Sequence, residues 1–197
     1  MEMAIFGSND ERDSSRFQAG NNPFARGISE KRASPFRRHS TRTKTISGFC
    51  EAALKSVYLI GSLRNEAVPE FGQELRKIGL DVFDDWYGAG KIADDSWQAY
   101  ENLRGRNFAD ALAGYAAQHV FHFDKIHLDR CDAAILLLPA GKSGHLELGY
   151  IIGSGKPGFI LMDKEPERYD VMYNFATGVY FSRKELLDKL ASDVVPF

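Results

Sequence analysis

From residue 56 onward, short apolar runs alternate with segments in which apolar residues recur at helical spacing. Residues 56–61 and 80–83 are rich in β-branched, aromatic and aliphatic side chains, which predicts two buried strands. Between them, residues 69–78 carry apolar side chains at helical spacing, with a proline in the first turn and Gly79 at the end. A strand, a helix and a strand joined by short connections predict the beginning of a parallel sheet.

The same alternation continues through the rest of the chain. Residues 131–139 form the strongest predicted strand, and a run that is apolar on both faces is typical of the centre of a parallel sheet. Further strands are predicted at 158–162 and 179–181 and helices at 108–129, 143–153 and 182–190, whereas residues 85–105 are predicted to be irregular. The expected fold is α/β: a doubly wound (flavodoxin- or Rossmann-like), five-stranded, mostly parallel sheet with helices on both faces. In such folds the ligand site lies at the carboxyl ends of the strands.

Composition narrows the classes of function. The chain has 197 residues, with 25 Lys and Arg against 27 Asp and Glu, and this balance argues against a general nucleic-acid-binding protein. No apolar run approaches the roughly 20 residues that cross a bilayer, so a membrane protein is not expected. The two cysteines, Cys50 and Cys131, provide neither a disulfide framework nor a C-x-x-C metal motif. We therefore expect a cytoplasmic protein.

The first 50 residues differ from the rest of the chain. Residues 1–48 contain 9 basic and 5 acidic side chains, a net charge of +4, and they are rich in Ser, Asn, Arg and Gly. Low hydrophobicity without periodicity predicts a disordered, basic and polar tail over residues 1–50. Residues 51–197 then form the one α/β domain.

Two motifs that suggest cofactors lack the context that those cofactors need. Residues 141–143 read Gly-Lys-Ser, but a P-loop requires a glycine five residues earlier, where Leu136 stands. Residues 153–158 match G-x-G-x-x-G, but they follow a predicted helix and lead into a strand, the reverse of the dinucleotide-binding order. His119 and His122 have helical spacing without an H-E-x-x-H motif or an equivalent ligand set. We expect no metal and no organic cofactor.

Polar side chains follow the first two predicted strands. Gly61, Ser62 and Arg64 precede a helix and combine a flexible turn, a hydroxyl group and a guanidinium, which suits an anion. A helix-capping serine beside an exposed arginine explains these residues equally well. After the second strand, Asp84, Asp85 and Trp86 would hold a sugar and stack on a base, and a solvated turn is the simpler interpretation. These six residues are candidate substrate contacts.

A third set of candidates follows the central strand. Ser143 and Gly144 are small and let the chain bend closely over a ligand, and Glu147 follows on the next predicted helix. We expect Leu146 and Tyr150 of that helix to face the core. A glutamate between them would then be poorly placed for a purely solvated role.

Two further acids flank the segment before the central strand. Asp124 lies on the preceding predicted helix, and Asp132 stands at the start of the strand. A pair of acids brought together near a strand end is what glycosyl transfer needs, with one acid as the nucleophile and the other handling the proton. Glu147 and one of the acids Asp124 and Asp132 are therefore candidates for such a pair.

Three motifs, in this order and spacing, resemble the nucleoside 2-deoxyribosyltransferase superfamily, which includes the 5′-deoxynucleotide N-glycosidases. They are residues 58–64 (YLIGSLR), Asp124 followed by Asp132, and residues 143–149 (SGHLELG). The resemblance covers roughly residues 56–162. It implies a small nucleoside or nucleotide as substrate, no cofactor, and a homo-oligomer such as a dimer.

The resemblance also implies roles for individual residues. Glu147 matches the glutamate that attacks the anomeric carbon and forms a covalent glycosyl intermediate. Asp124 matches the acid that orients the sugar or assists proton transfer. Ser62 and Arg64 match residues that contact a 5′-phosphate in the glycosidase branch, and Ser143 is a further candidate contact.

The sequence departs from the family pattern in two places. Gly141 stands six residues before Glu147, where the transferases have an aspartate, and residues 85–123 form a longer connection than in the glycosidases. The base, the type of sugar, and hydrolysis or transfer therefore stay open. Two other functions also remain: a TIR-like NAD glycohydrolase, in which Trp86 or Trp97 stacks on the ligand, and a nucleotide-binding sensor without turnover.

Overall fold

A computed structural model of the chain describes residues 54–193, in which a five-stranded sheet lies between two layers of helices. The strands are β1 (Ser56–Ile60), β2 (Asp81–Phe83), β3 (Ala133–Leu137), β4 (Gly158–Leu161) and β5 (Gly178–Tyr180). The helices are α1 (Ala67–Lys77), α2 (Ala93–Leu103), α3 (Phe108–Leu112), α4 (Tyr115–Arg130), α5 (Lys142–Gly153) and α6 (Arg183–Asp193), with 3-10 helices at Asp85–Ala89 and Val171–Phe175. None of the helices described is both long enough and apolar enough to span a membrane. The predicted tail over residues 1–50 lies outside the described residues.

The strand order places a crevice between β1 and β3. The order is β2-β1-β3-β4-β5, and every neighbouring pair is parallel. The chain runs from β1 outward to β2 and then returns past β1 to β3, so the direction of winding reverses between β1 and β3. In sheets of this kind a crevice opens at the carboxyl ends of the strands at that point. The predicted doubly wound α/β fold is confirmed.

The two faces of the sheet are covered by different helices. Alternate residues of β1 separate them: Val57 and Leu59 pack with α1 and α6, whereas Tyr58 and Ile60 pack with α4 and α5. Every residue of β3 is buried, because helices cover both of its faces. The prediction that this strand is central is also confirmed.

In the helix α1, the apolar residues that recur at helical spacing in the sequence are the residues that are buried. Val68, Phe71 and Leu75 recur at intervals of three and four residues, and each is 0% exposed. The chain leaves the helix through Gly79, whose φ of 93° lies in the left-handed region that favours glycine. The predicted helix and its stop are both present.

The segment 85–105 is the main error of the fold prediction, because it contains the 3-10 helix at Asp85–Ala89 and all of α2. The helix α2 has no buried apolar stripe. Its buried residue is Glu101, 3% exposed, which accepts a hydrogen bond from Arg106 Nη1 at 3.1 Å. Since an ion pair takes the place of apolar packing, the helix leaves no period in the hydropathy pattern.

The face of α5 that packs on the sheet also differs from the prediction. Leu146 and Tyr150 are 75% and 40% exposed, so they do not face the core. Leu148 and Ile151 are the buried residues of this helix. Glu147 adjoins Leu148 and is itself partly buried.

Candidate active site

Two carboxyl groups, one from α4 and one from α5, lie close together on the face of the sheet that these helices cover. They belong to Asp124 and Glu147, whose charges act on each other. The hydroxyl group of Tyr58 in β1 faces Asp124 and lies within reach of both charges. Both acids are partly buried, and Tyr58 is 1% exposed. The fold thus brings together two acids that are 23 positions apart in the sequence.

Burial raises the pKa of both acids. The pKa of Glu147 rises from 4.5 to about 7, first because its surroundings exclude water and second because Asp124 is negatively charged. Burial also raises the pKa of Asp124, and the neighbouring His127 and the Tyr58 hydroxyl group oppose that rise. Because each negative charge disfavours the other, the two carboxyl groups resist being ionised together.

The sequence pattern does not predict the role of Tyr58. Burial raises the pKa of its hydroxyl group, and the charges of Glu147 and Asp124 raise it further. Tyr58 therefore keeps its proton, and its hydroxyl group faces the Asp124 carboxylate. A tyrosine within an apolar strand is typical of a core position. The one sequence feature that indicates another role is the alternation of β1, which places Tyr58 on the side of α4 and α5.

Aromatic rings line the site beside Asp124. Phe83, at the end of β2, stacks on His127 with ring centroids 3.7 Å apart and packs against Tyr58 at 4.9 Å. Phe123 contacts both Phe83 and His127. Together these rings form an apolar, aromatic surface on the side of the sheet that α4 covers.

Trp86 closes the end of β1. Its indole Nε1 donates a hydrogen bond to the carbonyl oxygen of Leu59 at 2.9 Å. Its ring covers Gly61 so closely that a Cβ on this residue would lie 3.3 Å from Trp86 Cη2 and 2.8 Å from Val68 Cγ2. Glycine at position 61 therefore allows the aromatic ring to rest on the chain at the crevice.

Ser62 and Arg64 lie in the turn between β1 and α1, at the carboxyl end of β1. The hydroxyl oxygen of Ser62 accepts a hydrogen bond from the backbone N–H of Arg64 at 3.2 Å. The Arg64 guanidinium reaches α2, where Nη2 donates to Asp95 Oδ2 at 2.8 Å. Both predicted residues are at the crevice, and both already have partners within the chain.

Asn65 connects the two sides of the crevice. Its Nδ2 donates to the carbonyl oxygens of Leu137 at 3.5 Å and Pro139 at 3.4 Å, and its Oδ1 accepts from the N–H of Ala67 at 3.1 Å. The turn after β1 and the end of β3 are thereby fixed to each other. The side chain is 9% exposed and was not among the predicted site residues.

Ser143 and Gly144 begin α5 but occupy different environments. Ser143 is exposed in the first turn, whereas Gly144 is buried against the sheet. A Cβ on Gly144 would lie 2.9 Å from Ile60 Cγ2 and 3.1 Å from Leu136 Cδ1. This close approach sets the depth of α5 and hence that of Glu147, which follows about one turn later.

Two predicted acids are directed away from the site. Both carboxylate oxygens of Asp84 bind the guanidinium of Arg76 on α1, at 2.6 and 3.0 Å. Asp132 lies at the amino end of β3, the opposite edge of the sheet, where it accepts from the N–H and the hydroxyl group of Ser56 at 2.9 and 3.0 Å. Arg76 therefore already occupies the Asp84 carboxylate, and Asp132 lies away from the carboxyl ends of the strands. Asp85 is exposed at the correct edge and stays a candidate contact.

The histidines of α4 do not form a ligand cluster. His122 Nδ1 lies 2.6 Å from the carbonyl oxygen of Gln118 in the same helix, and His127 stacks on Phe83. Within residues 54–193, no group of three or more His, Cys, Asp or Glu side chains is arranged to hold a metal ion.

Similar solved structures include three at low sequence identity. A conserved protein from Enterococcus faecalis V583 is 15% identical, with a TM-score of 0.49, over 71% of this chain and 99% of its own. A 2-deoxyribosyltransferase from Bacillus psychrosaccharolyticus is 17% identical, with a TM-score of 0.47, over 72% and 98%. The Clostridium botulinum CMP N-glycosidase BcmB is 18% identical, with a TM-score of 0.42, over 69% and 98%. No protein-family model and no curated protein matches this chain.

Proposed function

We propose that this protein cleaves the N-glycosidic bond of a nucleoside or a nucleoside 5′-monophosphate through a covalent glycosyl intermediate on Glu147. The observation that carries the proposal is the pair of partly buried acids, Asp124 and Glu147, beside the Tyr58 hydroxyl group. Such a pair supplies the nucleophile and the proton handler of glycosyl chemistry. The sugar then passes to water or to an acceptor base.

In the first step, an oxygen of ionised Glu147 forms a bond to C1′ while the bond from C1′ to the base nitrogen breaks. The electron pair leaves with the base, which takes a proton from Asp124 in its acid form or from water. The carboxylate also stabilises the positive charge that spreads over C1′ and the ring oxygen. No metal or organic cofactor takes part in these steps.

In the second step, water or an acceptor base attacks C1′ from the side that the first base left. The incoming group gives a proton to Asp124, and the bond between C1′ and Glu147 breaks. Two successive inversions retain the configuration at C1′. Tyr58 donates to Asp124 when that group is ionised, and this contact orients the carboxyl group as it gains and loses its proton.

The residues at the rim of the crevice bind the substrate in this proposal. The aromatic surfaces of Phe83 and Trp86 accept the planar base. The sugar and its 5′ group face the start of α5 and the turn after β1. The remaining contacts are Gly61, Ser62, Arg64, Asp85, Ser143 and Gly144.

We also propose that the protein is a homodimer. Helices α4 and α5 present five large apolar side chains that are 43% to 75% exposed, namely Val120, Phe121, Phe123, Ile126 and Leu146. A second copy of the chain would cover this surface. Light scattering should give twice the chain mass, and Leu146→Asp should shift the protein toward the monomer. A wild-type monomer at micromolar concentration would contradict the proposal.

The test is a chromatographic assay of the wild type and of Glu147→Gln. The substrates are deoxynucleosides, ribonucleosides, their 5′-monophosphates and NAD, each with and without an acceptor base. Release of a base by the wild type, abolished in the variant, is the expected result. Intact-mass spectrometry after acid quench should show the wild type carrying one sugar. A digest of the same sample should place that sugar on the peptide that contains Glu147.

Other outcomes separate the remaining functions. Cleavage of NAD but of no nucleoside or nucleotide would favour an NAD glycohydrolase. Binding without any turnover would leave a sensor. A sugar adduct on Asp124 instead of Glu147 would reverse the two catalytic assignments.

A further inference from the structure

The Arg64 side chain is already paired with an acid from a distant part of the chain. Its Nη2 lies 2.8 Å from Oδ2 of Asp95, in the first turn of α2. The two side chains are 56% and 64% exposed, so the pair borders the solvent at the crevice. A ligand that enters at the end of β1 therefore meets a guanidinium whose charge a carboxylate already balances.

The backbone of the same turn offers little to an anion. The N–H groups of Arg64 and Asn65 donate to the hydroxyl and carbonyl oxygens of Ser62, at 3.2 and 2.9 Å. Those of Ala67 and Val68 donate to the side-chain and carbonyl oxygens of Asn65, at 3.1 and 3.2 Å. An anion at the start of a helix is normally held by N–H groups of this kind. In this turn four of them are already used within the chain.

The local charge leads to the same conclusion. Within residues 61–66 the basic residue is Arg64, and the acidic one is Glu66, which occupies the N-cap position of α1. Together with Asp95, two carboxylates therefore accompany one guanidinium. They repel a phosphate dianion, whereas the neutral 5′-hydroxyl group of a nucleoside experiences no such repulsion.

We propose that Asp95 takes the place at Arg64 that a 5′-phosphate would need, so that the site selects nucleosides over nucleoside 5′-monophosphates. The inference rests on the proposed function and narrows its substrate class. It also gives a role to the long connection between β2 and α4, since Asp95 belongs to that segment. Asp95 is a specificity residue that acts through Arg64 and leaves the bond-breaking steps to other groups.

The test compares each deoxynucleoside with its own 5′-monophosphate in the wild type, Asp95→Asn and the matched control Asp94→Asn. Asp94 is the neighbouring acid on α2 and lines a cavity together with Trp97, whereas the acid paired with Arg64 is Asp95. The wild type should have the higher kcat/KM with nucleosides. Asp95→Asn should raise the ratio of kcat/KM for nucleotide over nucleoside by about three- to tenfold, because an exposed pair and a nearby like charge are each worth modest free energies. Asp94→Asn should change this ratio by less than about twofold.

A binding measurement keeps the inference testable without turnover. Calorimetry of Glu147→Gln, with and without Asp95→Asn, should show the same change of preference between the two ligands. Turnover with a preference for nucleotides, or a ratio that Asp95→Asn leaves unchanged or lowers, would overturn the inference and leave the proposed function standing. A preference in binding without any turnover would support the inference and overturn the proposed function. No binding of either ligand would overturn both.

Discussion

Partly buried carboxyl groups on the two faces of the sheet have different partners. On the side of α1, Asp84 is held by Arg76 through two hydrogen bonds of 2.6 and 3.0 Å. On the side of α4 and α5, the charges of Asp124 and Glu147 act on each other and on the Tyr58 hydroxyl group, and burial raises the pKa of both acids. The ion pair with Arg76 stabilises the ionised form of Asp84. By contrast, ionising both Asp124 and Glu147 lowers the stability of the fold.

The difference separates acids that support the fold from acids available for chemistry. Asp84 fixes the end of β2 to α1, and its charge is already satisfied. Asp124 and Glu147 have raised pKa values and no arginine or lysine among the groups that shift them, which is the environment that the proposed reaction requires. Proximity to the strand ends alone does not distinguish the two cases.

The largest effect on activity is expected when Glu147 is replaced. Glu147→Gln removes the nucleophile and should lower kcat by at least about 10³-fold, while the protein stays folded. Glu185→Gln, at an exposed glutamate of α6, is the matched control and should keep wild-type activity. Steady-state kinetics and thermal unfolding of both variants check this. Activity within tenfold of the wild type would remove Glu147 from the mechanism.

The next effect is a pH dependence whose sign follows from the raised pKa of Glu147. Between pH 4.5 and about 7 the folded protein keeps a proton that the unfolded chain has lost. The unfolding free energy should therefore fall as pH rises through this range, by at most about 3 kcal/mol. Over the same range kcat/KM should rise, because the nucleophile is the ionised form.

Denaturant unfolding at pH 5.5 and 8.0 measures this dependence, with Glu147→Gln as the reference. The unfolding free energy of Glu147→Gln should fall less between pH 5.5 and 8.0 than that of the wild type, because the variant lacks the Glu147 carboxyl group. A wild-type protein that gains stability relative to the variant as pH rises would contradict the assigned pKa direction. A kcat/KM that falls as pH rises through 7 would indicate instead that Glu147 acts as the acid.

A smaller effect, on stability, is expected when Asp84 is replaced. Asp84→Asn weakens the pair with Arg76, which is 34% exposed, and should lower the unfolding free energy by about 1–3 kcal/mol. The control is Asp81→Asn, at an exposed position at the start of β2. Denaturant unfolding should separate the two variants, and kcat should stay within about twofold of the wild type in both. Loss of activity with unchanged stability would return Asp84 to the site.

The smallest effect concerns the hydroxyl group of Tyr58. Tyr58→Phe keeps the ring that packs on Phe83 and removes the hydroxyl group that faces Asp124, so kcat should fall about tenfold with little change in KM. Tyr180→Phe in β5 is the matched control, since its ring packs in the apolar cluster on the other face. An equal loss of activity in both variants would show that the effect comes from packing.

The sequence predicts the parts of this molecule that are organised by apolar packing. The apolar runs at β1 and β3 and the periodicity of α1 predict a mostly parallel sheet with helices on both faces. The helix α2 is not predicted, because its buried residue is Glu101 and its partners are arginines. An ion pair of this kind has no signature in a hydropathy pattern.

The same limit applies to the candidate site. Asp124 and Glu147 are suggested by motif spacing, yet the expected reason for the burial of Glu147 was wrong, since Leu146 and Tyr150 face solvent. Asp84 looks like a site residue because it follows a strand, and only the positions of α1 and β2 show that it reaches Arg76. Tyr58 looks like a core residue, because the sequence does not say which acids its hydroxyl group meets.

The position of Trp86 makes the crevice optically observable. The chain has two tryptophans, and the indole of Trp86 is bound to the end of β1 while its ring covers Gly61. A base that stacks there alters the polarity around the fluorophore and quenches or shifts its emission. Trp97→Phe would leave Trp86 as the only indole, so ligand arrival could be followed in a stopped-flow fluorimeter without any label, separately from bond cleavage.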